Sequence, residues 1–424
     1  MYHTARSFAG MGRVVACRNI TPVVVVCAFA LVGPGWARAQ PAPPARLTLQ
    51  AATDRALSAN PAIIAARLAK AVNVAGLDVA AERLNPEATV ELEKETPKQS
   101  FGVAFPLELG DKRSRRIALS EATLRAGDAE LAATTAQVRN DVRRTYFEVL
   151  VATSRLTVLR ELSDLSQRAR DAAQARFESG DAPRLEVVQA DLALNAAQID
   201  ATSVEGEVKA SAAKLNALLA LPLDTSHELS TAIDAGGPVV TIAVLELGRR
   251  ESVELAVVDR RIEQQRAKLA LAHALRAPDV VPSATFTHDA EPEFTYGWRA
   301  GVAITLPLFT THKAGVTLEE AALEQLIAER EAARRRIEGD ITAAAAMAET
   351  DRLAYARYRD VILPQAQELA QLAEDSYRLG QTGIAVLLQA LQAARDVRLR
   401  SLETVSRYQT ALADLERAIG APLP

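Results

Sequence analysis

FTYGWRAGVAITLPL, residues Phe294–Leu308, alternates without interruption. Its even positions are Phe294, Tyr296, Trp298, Ala300, Val302, Ile304, Leu306 and Leu308, all apolar. Its odd positions, Thr295, Gly297, Arg299, Gly301, Ala303, Thr305 and Pro307, are small or polar, with Arg299 the one charge. Side chains alternate across a strand, so this is one strand with an oily face and a polar face. Three aromatics crowd one end of the oily face. About ten tilted residues cross a bilayer as a β-strand, and aromatics gather at its interfaces. A half-buried strand of a soluble sandwich reads the same way locally, so the choice depends on what else the chain offers as a sheet.

It offers little. Hydrophobic residues make up 49% of the 424, but alanine and leucine dominate and aromatics reach only 4%, the mix of long helices. No apolar run approaches the roughly 18 residues of a transmembrane helix. Residues 1–39 read as an export signal: Arg6, Arg13 and Arg18 are basic, Ile20–Val32 is the apolar core, and Ala37-Arg38-Ala39 is a small-x-small cleavage site. Both cysteines, Cys17 and Cys27, lie inside it, without a lipoprotein context. The mature chain then has no thiol, which excludes disulfides and cysteine chemistry. Removing the signal takes away arginines and no acids, so the mature chain is more acidic than the whole-chain charge of −4, against nucleic-acid binding.

Residues 40–46 are a Pro/Ala tether. A first repeat occupies 47–223. Leu47–Ser58 has helical spacing, and Asn60-Pro61 starts a second helix, Asn as cap and Pro in the first turn, that stops at Asn85-Pro86. Ala88, Val90 and Leu92 alternate with Thr89, Glu91 and Glu93. After a turn at Thr96–Gln99, Phe101, Val103, Phe105 and Leu107 line the return strand, giving a hairpin with one apolar side. From Lys112 to Glu178 there is no proline and one glycine, and Leu124, Leu131 and Val138, then Val142, Val149 and Leu156, recur by sevens. Such a helix is roughly 100 Å long, which no compact domain buries. It turns at Ser179-Gly180-Asp181, restarts at Pro183 and ends at Pro222. After a loop-rich connector over 224–242, a second repeat over 243–424 runs through a helix at Ser252–Leu275, a strand at Ser283–Asp289, the opening strand, and a long helix with Ile341, Ala348, Tyr355, Ile362 and Leu369 by sevens, which turns at Gly380 and returns to Ile419. At an offset of about 200 residues Phe177 meets Tyr377, Gly180 meets Gly380, Gln189-Ala190 meets Gln389-Ala390 and Pro222-Leu223 meets Pro422-Leu423.

Four strands cannot close a membrane barrel, for which about eight is the floor, and an open edge in lipid leaves backbone groups unpaired. The barrel must be shared among copies. Phe101, Phe105, Phe286, Phe294, Tyr296 and Trp298 fall in the strands, as an aromatic girdle requires. The fold expected is therefore mainly α with a small β part: long antiparallel helix hairpins forming a helical tube, with four strands per chain in a shared barrel.

These features resemble the outer-membrane efflux proteins, the TolC-like channels. The residues that carry the resemblance are Leu47-Thr48-Leu49, Asn60-Pro61, Asn85-Pro86, the strand ends at Pro106 and Pro307, and the two helix turns, Arg176-Phe177-x-x-Gly180-x-x-Pro183-x-x-Glu186-Val187 and Tyr377-x-x-Gly380-x-x-Gly383. The resemblance implies a homotrimer with a twelve-stranded barrel in the outer membrane of a Gram-negative bacterium and a long periplasmic extension. It also implies a periplasmic adaptor, an inner-membrane pump of the RND type, and no cofactor. The tip formed by Arg176, Gly180, Pro183, Leu185, Gly380 and Gly383 would meet the adaptor; chain reversal alone is the plain alternative. Leu107–Arg113 is similar to a stretch of the CzcC-like heavy-metal efflux branch, with Asp111 where a second glycine is usual, whereas Thr310–Lys313 departs from that branch. Cation export is the reading this favours, with drug efflux and type I secretion open.

Glu91, Glu93 and Glu186 are candidate pore carboxylates. Glu91 and Glu93 alternate with the oily face and would point into the barrel, where a ring of carboxylates favours cations; an unselective lumen is the alternative. Relatives' acidic residues after the second turn are replaced here by Val386 and Gln389. The clusters Lys112–Arg116 and Arg334–Arg336 read as solvated faces, the first also as an anchor at the membrane's inner rim. His227, His273, His288 and His312 lack ligand spacing, and no HExxH, phosphate loop or nucleophile elbow occurs, so neither a metal site nor catalysis is expected. A structural coiled-coil protein of the envelope is the competing class; it has no use for one-sided strands with an aromatic girdle.

Overall fold

A computed structural model describes residues 46–421 except 95–97, 232, 235, 291 and 293. The export signal, nearly all of the tether, part of each hairpin turn and Pro422-Leu423 lie outside the described residues. The chain runs β1 (Arg46–Leu47), α1 (Leu49–Ala59), α2 (Pro61–Ala81), β2 (Glu87–Leu92), β3 (Gln99–Ala104), α3 (Lys112–Glu178), α4 (Arg184–Leu218), β4 (Glu228–Leu229), α5 (Thr241–Glu251), α6 (Val253–Ala274), β5 (Asp279–Ala290), β6 (Phe294–Thr305), α7 (Lys313–Arg357), a π-helical turn (Tyr358–Ile362), α8 (Leu363–Arg378) and α9 (Ile384–Ile419).

The long helices form as the seven-residue spacing requires. Helix α3 is unbroken over 67 residues, and Val138, Val142, Val149 and Leu156 are buried along it. Near its middle, α1 and α4 close over it, with Ala52, Ala56, Tyr146, Leu215 and Leu219 in one core. The second half repeats this core with Val244, Ile337, Ile341, Ala345, Leu415 and Ile419. Helix α5, which the sequence reading passed over, is thus the counterpart of α1; the connector ends where it begins. The connector also contains β4, which pairs in parallel with β1. Asn60 caps α2 through its side chain (Ala62 N–H to Oδ1, 2.8 Å) and reaches Leu218 O with its amide. Ser252 holds the corresponding place before α6.

The second long helix is not continuous. A π turn interrupts it at Tyr358–Ile362, with the Leu363 N–H bonded to Tyr358 O, next to Pro364 in the first turn of α8. Proline has no N–H, so the ordinary helical bond to Asp360 cannot form there. The turn absorbs one residue: the core pair Val142 and Ile341 is one residue closer in sequence than the pair Leu215 and Leu415. One residue rotates the following helix by about 100°. Ile341 and Ala348 are accordingly buried, but Leu369 is exposed, and Ala366 and Ala373 take the buried positions.

The four long strands form one antiparallel sheet in the order β2-β3-β5-β6. Strand β6 ends at Thr305, short of Leu308, because Pro307 cannot donate and the Leu308 N–H folds back on Leu306 O. Strand β5 starts four residues earlier than expected. Pro282 is tolerated inside it because the β3 side is already past the end of that strand, where Phe105 N–H takes the Pro282 carbonyl.

Left-handed residues mark the repeat. Asp111 and His312 precede α3 and α7, Gly180 and Gly380 end α3 and α8, and Ala220 and Gly420 end α4 and α9. Only Ala220 among the four helix ends carries a Cβ there, at φ +51°. Ala220→Gly should raise the stability of the folded protein by about 1 kcal/mol. Gly420→Ala should lower it by more, since the new Cβ would lie 2.5 Å from Val253 Cγ2 and 2.9 Å from Glu251 O. Thermal melts in detergent check both; an unchanged midpoint for Ala220→Gly would discount the strain at that end.

Candidate functional site

The sheet has two chemically different faces. On one, Val90, Phe101, Phe286 and Trp298 stand in a single cross-strand row. Leu92, Gln99, His288 and Tyr296 form the next row outward, and the rings of Phe286 and Tyr296 stack with centroids 5.9 Å apart. Phe105, Val302, Ile304 and Leu306 continue the face toward the helices. All these apolar side chains are exposed, Trp298 at 83%. A soluble sandwich would cover such a face with a second sheet; the only other sheet among the described residues is the short pair β1-β4. Phe294 is in the strand backbone, but its side chain lies outside the described residues. The aromatics are therefore not one belt. Phe101, Phe286, Tyr296 and Trp298 cluster at the outer end, and Phe105 sits toward the helices.

The opposite face carries three polar rows: Glu87–Ala104–Ser283–Gly301, Thr89–Gly102–Thr285–Arg299 and Glu91–Ser100–Thr287–Gly297. Glu91 accepts a hydrogen bond from Ser100 Oγ at 2.8 Å. Glu93 lies just past the end of β2, its N–H on Lys98 O.

Where the sheet meets the helices, the basic cluster Lys112–Arg116 is not the solvated face the sequence suggested. Lys112 is buried, with Nζ 2.5 Å from Asp279 Oδ1 at the start of β5. Arg113 donates to Ala81 O, and Arg116 donates to Ala80 O, Glu82 O and the Glu108 carboxylate. These arginines satisfy carbonyls at the C-terminal end of α2, which has no basic residue of its own there. Gly110 (φ +72°) makes the bend possible, because a Cβ would fall 2.3 Å from that of Ala277. The Glu108–Arg113 motif is thus a staple joining α2, the sheet and α3. Arg334–Arg336 do lie on the surface, in a ladder with Glu331, Glu338, Asp340 and Glu254. The Arg334 and Arg335 guanidiniums hold the Glu331 carboxyl down at about 2.

At the far end, α3 and α8 both stop in the same way. The Gly180 and Gly380 N–H groups bond to Phe177 O and Tyr377 O, and the Asp181 and Gln381 N–H groups reach Arg176 O and Ser376 O. Nothing lies within 4 Å of a Cβ built on either glycine, so both turns are bare. Pro183 and Gly383 occupy the N-cap positions of α4 and α9, and Leu185 is exposed. The two tips pack together through Ala173, Val187, Ala190, Tyr377, Ile384 and Leu387. Tyr377, noticed in the sequence as the repeat partner of Phe177 and in the second turn motif but given no role, is the centre of this contact at 1% exposure. Its hydroxyl donates to Glu186 Oε2 at 3.2 Å, and the Arg176 guanidinium lies over its ring, 4.9 Å from the centroid. Burial first, then the Glu186 carboxylate, pushes the Tyr377 hydroxyl pKa up. Within one chain Glu186 is thus half-buried and engaged with the other hairpin.

Among the described residues no group of His, Cys, Asp and Glu could hold a metal ion, and no helix is long and apolar enough to cross a membrane. The arrangement provides a surface for lipid, a polar wall and two bare turns at the end of long helices.

A family model described as outer membrane efflux protein matches residues 52–221 and 244–421. The chain is 23% identical over 384 residues to the cobalt-zinc-cadmium resistance protein CzcC of Cupriavidus metallidurans, covering 88% of this chain and 90% of that one. The fold is similar to the outer-membrane channel OprN (TM-score 0.74, 18% identity, 88% of this chain and 90% of that one). It is equally similar to the Campylobacter jejuni CmeC outer membrane channel (TM-score 0.74, 15% identity, 88% and 85%).

The staple yields a test. Asp279→Ala should cost about 2 kcal/mol, because it leaves the Lys112 ammonium buried without its partner. Adding Lys112→Met should recover part of the loss. Melting midpoints of the two single variants and the double variant measure this, and strict additivity would exclude the pair as a unit.

Proposed function

The chain belongs to the outer membrane efflux protein family, and on that premise we propose that it is the exit duct of a tripartite export system for heavy-metal cations. Three copies close a twelve-stranded barrel in the outer membrane. Their helix hairpins form the periplasmic tube, and the tips meet a periplasmic adaptor bound to an inner-membrane pump of the RND type. The observation that carries the duct is the sheet: one face bare and oily, the other polar, with both edges open. The resistance named for the C. metallidurans relative supports metal cations as cargo.

The roles follow from the geometry. Arg176, Gly180, Pro183, Leu185, Gly380 and Gly383 form a tip with unhindered turns, suited to contact with another protein. Glu91 and Glu93 tilt the barrel interior toward cations. Glu186 contributes at the tip, where it also links the two hairpins. The duct supplies no energy and performs no reaction; selection rests with the pump.

Three measurements bear on this. A deletion strain should become sensitive to zinc, cobalt and cadmium and recover on complementation, while its tolerance of dyes and antibiotics stays unchanged. Sensitivity to organic compounds alone would keep the duct and reject the cargo; no phenotype in either panel, with the pump expressed, would count against the duct. Gly380→Val places a branched side chain at φ +72° in the turn and should abolish complementation while the protein still reaches the membrane. In planar bilayers, replacing Glu91 and Glu93 together by Gln should reduce cation over anion permeability; an unchanged reversal potential would remove them from the selective wall.

A further inference from the structure

Within the three polar rows the charges stand on the edge strands alone; Asp279, on the same face at the start of β5, lies beyond these rows and is paired with Lys112. In the three polar rows, the inner strands β3 and β5 contribute only Ser100, Gly102, Ala104, Ser283, Thr285 and Thr287. Glu87 and Glu91 stand on one edge strand, β2, and Arg299 on the other, β6. The two edges of one chain are three strand spacings apart, about 14 Å, too far for these groups to meet. Among the described residues neither Glu87 nor Arg299 has an ion-pair partner, and Glu91 has only the Ser100 hydroxyl.

From this placement we infer that Arg299 and the pair Glu87 and Glu91 form the seam between neighbouring copies, β6 of one chain lying beside β2 of the next. The inference rests on the shared barrel proposed above and names the side chains that close it. Successive strands of the sheet alternate in direction, so β6 and β2 of the next copy meet antiparallel, as a closed up-and-down barrel requires. A closed barrel of tilted strands requires a stagger at this seam; a stagger of four residues puts Glu87 or Glu91 on a diagonal of Arg299, about 7–8 Å away and within reach of an arginine. A stagger of two residues in either direction puts it directly opposite one of the carboxylates. Gly297 and Gly301 flank Arg299 on β6 and leave it room to reach across.

The same charges act against the wrong pairing. Two β2 edges together would oppose Glu87 and Glu91 to themselves, and two β6 edges would oppose Arg299 to itself. Opposite charges on opposite edges select head-to-tail addition, which closes a ring, over self-pairing of one edge. Each seam takes one cation against two carboxylates, so the barrel wall keeps a negative balance.

Engineered cysteines test this, because Cys17 and Cys27 are the only cysteines and both fall within the expected export signal. Full-length protein carrying Arg299→Cys together with Glu87→Cys, Thr89→Cys or Glu91→Cys is oxidised in its native membrane and run without reductant. At least one pair should lose the monomer band to cross-linked dimers and trimers that collapse on reduction, while single-cysteine variants stay monomeric on the gel. In parallel, Arg299→Glu should shift the detergent-extracted wild-type oligomer toward monomer in mass photometry, and Arg299→Glu with Glu87→Arg and Glu91→Arg should restore it. A wild-type protein that is monomeric in the membrane would defeat the shared barrel itself. Stable oligomers with no cross-linking from any pair, and no shift with Arg299→Glu, would leave the barrel standing and overturn the seam.

Discussion

An N–H or C=O at the edge of a sheet has no water to turn to inside a bilayer, and each one left unpaired costs several kcal/mol. Strands β2 and β6 present two such edges, and no further strand among the described residues covers them. This constraint governs most of what surrounds the sheet. It makes the functional unit larger than one chain. The oily face is left bare because lipid covers it.

The helices answer a different demand. A helix of 67 residues can be stable only against neighbours along its whole length, and α2, α6, α4 and α9 supply them within the chain. The link between sheet and helices must then be rigid, or the two tubes would not stay in register. The Glu108–Arg113 motif provides this by tying carbonyls of α2, the first residue of β5 and the start of α3 to one another. A charged stretch that looks like surface is in fact the internal joint of the molecule.

The two halves share a plan but not a mechanical character. The first tip hangs from an unbroken helix. The second hangs from a helix interrupted by a π turn at Pro364, which adds one residue and rotates everything below it. The contact at Tyr377, Arg176 and Glu186 then binds the tips together, and its partners come from both halves.

Much of the fold was legible in the residues alone. Period-two alternation marked the strands and period-seven recurrence the long helices, because both are local consequences of backbone geometry. Gly180, Gly380, Asn60 and Pro183 fixed the turns for the same reason. The duplication of these signals gave the two-repeat plan, and four one-sided strands required a shared barrel. What the residues did not disclose depends on contacts between distant segments. The π turn was hidden because Ile362 and Leu369 continue the seven-residue count across it although the buried face has moved to Ala366 and Ala373. Lys112–Arg116 looked solvated because nothing local shows that α2 ends beside them. Tyr377 looked like one more apolar repeat position until the tips were packed. The distribution of charge to the two sheet edges became visible only with the strand order, since alternation tells which face a side chain takes and only pairing tells which strand stands at the rim.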